Sequence, residues 1–155
     1  MAKIPRIQQT YYLAAPRERV FAALTEPKKI TEWFSEKAVV TPRPGGSYRL
    51  TWPGGFSMRG KIRKIGPPGL LEVDWIDRLG GRKVFETRAR FELTRKGRGT
   101  LLVVTHRGFK SGKDWIQLYG AINSGWASAS AGNSAAIVCA AVRCNSWRRA
   151  RSKVS

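Results

Sequence analysis

The chain has 155 residues, the length of one domain, and sets 29 Lys and Arg against 10 Asp and Glu for a formal charge of +19. No run approaches the roughly 20 apolar residues that cross a bilayer, and the N-terminus lacks the apolar core of a secretory signal, so a cytoplasmic address is expected. Cys139 and Cys144 fit neither a zinc pattern nor a disulfide framework and are expected as reduced thiols.

Ile7 to Leu13 reads as the first strand, with Ile7, Gln9, Tyr11 and Leu13 on one face. Pro16, expected at the first helical position, opens a short helix on which Val20, Phe21 and Leu24 form an apolar stripe. Pro27 ends it. A second short helix runs to Phe34 and brings Ile30, Trp33 and Phe34 together.

From Ala38 to Phe109 the pattern alternates strand and turn. The strands are expected at Ala38–Pro42, Ser47–Trp52, Phe56–Ile65, Leu70–Ile76, Lys83–Thr94 and Gly99–His106. Gly45-Gly46, Pro53-Gly54-Gly55, Pro67-Pro68-Gly69, Gly80-Gly81 and Gly97-Arg98-Gly99 supply the reversals between them. Tyr48, Leu50 and Trp52 share one face, as do Val73 and Trp75, and Phe91 and Leu93, which is the alternation of an antiparallel sheet with one buried side. Glu72 and Asp74 fall opposite Val73 and Trp75, on what reads as the solvated side, and Asp77 follows near the turn. Ser111 is expected to cap a last helix, with Asp114 in its first turn and an apolar stripe of Trp115, Leu118, Tyr119, Ile122 and Trp126.

The element order, with Ala15-Pro16, Val20 to Pro27, Trp33, Arg43-Pro44-Gly45-Gly46, Gly60, Pro67 to Leu71, Trp75, Gly99 to Phe109 and Gly125-Trp126, resembles the activator-of-Hsp90-ATPase-like branch of the START and polyketide-cyclase (SRPBCC) superfamily. The resemblance runs from about residue 6 to 126. It implies an α+β helix-grip fold: a seven-stranded curved antiparallel sheet wrapped around the long C-terminal helix, with a cavity between them. It also implies a possible partner, an Hsp90-type ATPase.

After Trp126 the sequence departs from that pattern. Residues 127–155 contain no Leu, Asp or Glu, and Ala, Ser and Arg make up 18 of the 29. Either a divergent tail or a change of reading frame accounts for this composition. The domain is expected over residues 1–142, with Ala135 to Val142 able to pack as a helix and 143–155 a frayed basic extension. That extension holds five bases and no acid, and the remaining charge is scattered through strands and loops without a recognisable DNA- or RNA-binding motif. Nucleic acid is therefore not the expected partner despite the charge.

Chemistry is sparse. His106 is the sole histidine, no Gly-x-Ser-x-Gly elbow exists, and the body of the chain offers no metal-ligand cluster, so neither cofactor nor metal is expected. A histidine without a visible partner reads as hydrogen-bonded structure rather than as a base. Gly97-Arg98-Gly99 does not open a helix and reads as a turn, whereas Pro53-Gly54-Gly55-Phe56 reads as a mobile mouth. The leading expectation is a non-enzymatic domain that takes a small apolar molecule or lipid among Trp33, Phe34, Trp52, Met58, Trp75, Phe85, His106, Trp115, Tyr119 and Ile122, with His106 and Tyr119 as polar anchors. A co-chaperone-like module that binds an Hsp90-type ATPase is one alternative, and a basic nucleic-acid-binding protein, resting on the net charge, is another.

Overall fold

Residues 4–53, 57–79 and 83–128 are described in the computed structural model, with backbone alone for Leu79, Lys83 and 125–128. The elements are β1 (Ile7–Leu13), α1 (Arg17–Thr25), α2 (Pro27–Trp33), β2 (Lys37–Val40), β3 (Ser47–Thr51), β4 (Ser57–Gly66), β5 (Leu70–Leu79), β6 (Lys83–Lys96), β7 (Gly99–Arg107) and α3 (Lys113–Ser128). The strands form one antiparallel sheet in the order β1-β7-β6-β5-β4-β3-β2. This is the expected α+β architecture. No described helix is long and apolar enough to cross a membrane.

Because β1 and β2 lie at opposite edges, the chain between them must cross the sheet, and α1 and α2 make that crossing. Glu26 closes α1 through its N–H to the Ala22 carbonyl (2.8 Å), and its own carbonyl accepts from Ile30 (2.9 Å) to open α2. Pro27 takes the first position of α2, where a missing N–H costs nothing. Tyr48 on β3 fastens this corner: its hydroxyl donates to the Leu24 carbonyl at 2.7 Å, and burial pushes the phenol well above its usual range.

Two helix starts differ from the sequence reading. Pro16 is the cap of α1 rather than its first helical residue, and its carbonyl accepts from Arg19 (3.0 Å) and Val20 (3.1 Å). For α3 the turn begins one residue later than Ser111. Gly112 adopts φ +124°, a conformation other residues resist, and its carbonyl accepts from Ile116 at 3.0 Å.

The concave face carries the core, with Leu13, Leu50, Ile62, Val73, Phe91 and Leu102 among its buried side chains. Each such burial contributes about 1.5–3 kcal/mol. Alternation assigned the faces correctly, but the convex face corrects one expectation. Glu72 and Asp74 are not solvated; their residues are only 3 % and 7 % exposed. Arginines from neighbouring strands lie over them: Arg88 (3.6 Å), Arg90 (3.4 Å) and Arg107 (3.5 Å) reach Glu72, while Arg63 (2.8 Å) and Arg88 (3.4 Å) reach Asp74. Register supplies this lattice, since Glu72 pairs with Arg90 and Asp74 with Arg88 across β5 and β6. Arg63 sits in the register shift of β4 between Ile62 and Lys64. On the same strand Gly60 runs so close to the Asp74 carbonyl that a Cβ would collide with it.

Cys139 and Cys144, Ala135 to Val142, the basic extension, and the Gly54-Gly55-Phe56 part of the proposed mouth lie outside the described residues.

Candidate binding cleft

The floor of the site is built by β4 to β7. Trp75 on β5 stands opposite Thr87 on β6, and Ala89 stands opposite His106 on β7. Ala89 carries almost no side chain, so the larger rings beside it come together: Trp75 meets His106 with ring centroids 5.4 Å apart, and His106 meets Phe109 at the same distance. Thr87 joins them. Its hydroxyl donates to the Trp75 carbonyl at 3.1 Å and lies 2.6 Å from His106 Nε2, so the tautomer with hydrogen on Nε2 satisfies both contacts. His106 is fully enclosed, and burial lowers its pKa to about 3, which keeps the ring neutral.

The rim comes from elsewhere. Trp33 stacks on Phe34 at 4.7 Å, Phe34 meets Trp52 edge-on at 5.3 Å, and it reaches Trp75 at 6.4 Å. Two indole N–H groups pin this side, Trp33 to the Ala23 carbonyl (2.9 Å) and Trp52 to the Phe34 carbonyl (2.8 Å). Across the cleft α3 presents Trp115 edge-on to Phe85 (5.0 Å) and Tyr119 edge-on to Phe109 (5.1 Å). Trp126 lies in α3, but its side chain is outside the described residues.

The ten residues named from the sequence thus divide by depth. Met58, Trp75, Phe85 and His106 are buried, while Trp33, Phe34, Trp52, Trp115, Tyr119 and Ile122 remain partly exposed. Ile122 packs against the core without a ring contact. Beside the Phe85–Trp115 pair an open groove of about 460 Å³ runs along Val84 and the residues from Ser111 to Asp114.

Three participants were missed. Thr87 and Phe109 are tied into the floor, as described. Asp77 is the third: it stands between Met58 and Phe85 on the concave face. Its carboxylate takes a hydrogen bond from the Trp75 side chain, yet Oδ2 is buried without a partner. Burial raises its pKa to about 6, against the lowering effect of the Trp75 bond. The signal was present in the sequence, because Asp77 follows Trp75 by two and so shares its face; ending the strand at Ile76 concealed it.

A curved antiparallel sheet with a ring-lined concave side facing a C-terminal helix defines a helix-grip domain. The profile of the family described as "Activator of Hsp90 ATPase homolog 1-like protein" matches residues 14–131, and the chain belongs to that family. Protein MLL2253 from Mesorhizobium loti is similar in structure, with TM-score 0.75 and 22% identity over 90% of this chain and 98% of that one. CalU16 from Micromonospora echinospora gives 0.62 and 28% over 89% and 78%. An HSP90 activator from Plasmodium falciparum gives 0.66 and 22% over 79% and 88%. No curated protein matches the chain in sequence.

Proposed function

We propose that this domain binds a small, largely apolar molecule between the concave face and α3, without performing chemistry on it. The supporting observation is the depth gradient: buried Met58, Trp75, Phe85 and His106 form a floor, and the partly buried Trp33, Phe34, Trp52, Trp115, Tyr119 and Ile122 form a rim. An isolated packing core has no use for such a rim, because exposed ring surface gains nothing from the hydrophobic effect. A neutral His106 already engaged with Thr87 suits a structural or recognition role better than proton transfer. Tyr119, at the rim, is the second polar anchor.

Titration with Nile red, a neutral solvatochromic dye, tests the reading. One saturable site per chain is expected, weakened at least about tenfold when Ile122→Trp adds bulk at the rim. Native mass spectrometry of the purified protein should show a co-purified small molecule. Absence of any saturable dye binding would overturn the proposal.

A second reading has support in the family itself and in the similarity to a Plasmodium HSP90 activator: a module that binds an Hsp90-type ATPase in the cytoplasm. The ATPase rate of such a chaperone should then change on adding this protein. An unchanged rate dismisses it.

A further inference from the structure

We infer that Asp77 is the polar recognition point of the cleft, and that the ligand carries a hydrogen-bond donor, an amine or a hydroxyl, that seats against its Oδ2. The inference rests on the binding cleft proposed above and adds the chemical class of its occupant.

Three observations carry it. The first is position: β5 sends Val73, Trp75 and Asp77 to the concave side, and the register sets Asp77 between Met58 and Phe85. Phe85, its cross-strand partner on β6, in turn meets Trp115 of α3 at the open groove. The second is unmet demand. A carboxylate has lone pairs for about four hydrogen bonds, and among the described residues Asp77 has only its bond from Trp75, with Oδ2 sealed from solvent and unbonded. Buried acceptors are nearly always satisfied, and exceptions are concentrated where a ligand, water or ion completes the set.

The third is the contrast with every other buried carboxylate of the described residues. Glu72 and Asp74 each have at least two arginines within salt-bridge reach, whereas among the described residues no basic group lies within 4.0 Å of Asp77. The ionisable groups around its cleft are the neutral His106 on the floor, Tyr119 on α3, and Lys113 and Asp114 at the groove. The sheet itself separates Asp77 from the convex arginines. An amide or leucine at this position would avoid the penalty, so the carboxyl carries a desolvation cost that a donor-bearing ligand offsets. The raised pKa, about 6, agrees with this: the site holds a proton weakly enough to yield to an amine at neutral pH.

The test is a calorimetric titration at about pH 8, where the carboxyl is ionised, with four probes sharing one ring system: naphthalene, 2-naphthalenemethanol, 2-naphthylmethylamine and 2-naphthylacetate. Wild-type protein should bind the amine at least about tenfold more tightly than the carboxylate, with the alcohol between. Asp77→Asn should shrink that preference to within about threefold and leave naphthalene affinity within about twofold; Asp77→Leu should do the same, and both should remain folded because each removes a buried charge. Equal binding of amine and carboxylate by the wild type overturns the recognition role and leaves the cleft standing. A preference that survives in both variants overturns it as well. If no probe binds, naphthalene included, the cleft falls and this inference with it.

Discussion

Strand β5 sends carboxylates to both sides of one sheet, and the two sides treat them differently. On the convex side Glu72 and Asp74 are buried by the guanidinium groups that also neutralise them. On the concave side Asp77 is partly buried with its Oδ2 sealed from solvent, and among the described residues only the Trp75 side chain bonds its carboxylate. The difference separates two kinds of burial: a lattice made of cross-strand pairs is complete in itself, whereas an acceptor with a single bond is where we place a ligand's donor.

The largest effect that would break this comparison is at Trp75. Its ring joins the Phe34 side of the rim to His106, and its side chain supplies the bond to Asp77. Trp75→Ala should cost about 3–5 kcal/mol in denaturant unfolding, as large-to-small core changes do. A loss near 1 kcal/mol or less would mean the floor is not packed as described.

Next is a pair of opposing pH slopes. Asp77 has a folded pKa of about 6, above its unfolded 3.8, so its contribution to stability is fully present below about pH 4 and lost as pH rises through 6. His106 has a folded pKa of about 3, below its unfolded 6.5, so its contribution is present above pH 6.5 and lost as pH falls through 3. Between about pH 4 and 6 the two slopes, each about 1.4 kcal/mol per pH unit, run in opposite directions and cancel. Wild-type unfolding free energy should therefore be nearly flat in that window. Asp77→Asn should become less stable as pH falls, His106→Gln less stable as pH rises, and Asp77→Asn should gain up to about 3 kcal/mol over wild type at about pH 8. A wild-type profile as steep as that of Asp77→Asn would show that Asp77 is not a buried acid.

The sequence made the sheet and its faces legible because side-chain alternation is a local property, readable at Tyr48-Leu50 or Val73-Trp75 without knowing any partner strand. The stripe of α3 was legible for the same reason, and it places Trp115 against Phe85 and Tyr119 against Phe109. What stayed hidden was non-local. Alternation put Glu72 and Asp74 on the convex side, but their burial depends on Arg63, Arg88, Arg90 and Arg107 arriving from three other strands, which only the register reveals. Asp77 was lost to a strand boundary: a charged residue shortly before Gly80-Gly81 reads as a turn, and β5 in fact continues to Leu79. Gly112 displaced Ser111 as the start of α3 because a backbone at positive φ, not a side-chain cap, redirects the chain there.

The smallest expected effect sharpens the convex half. Arg88 reaches both buried carboxylates, Glu72 at 3.6 Å and Asp74 at 3.4 Å, with a side chain 36% exposed. Removing one partner of a fully buried pair costs several kcal/mol, but this guanidinium is partly screened by solvent, and Arg63, Arg90 and Arg107 remain. Arg88→Met, which keeps the apolar stem, should cost about 1–2 kcal/mol at low salt. Raising ionic strength from about 0.1 M to about 1 M shortens the screening length from about 10 Å to about 3 Å. The cost of Arg88→Met should then shrink by a few tenths of a kcal/mol, while that of Leu50→Ala, a buried apolar position, should not shrink with it. An identical loss for Arg88→Met at both salt concentrations would assign its role to the packing of the arginine stem over Glu72 and Asp74 rather than to charge, and the convex side would then bury its acids as the concave side buries Asp77, by coverage alone.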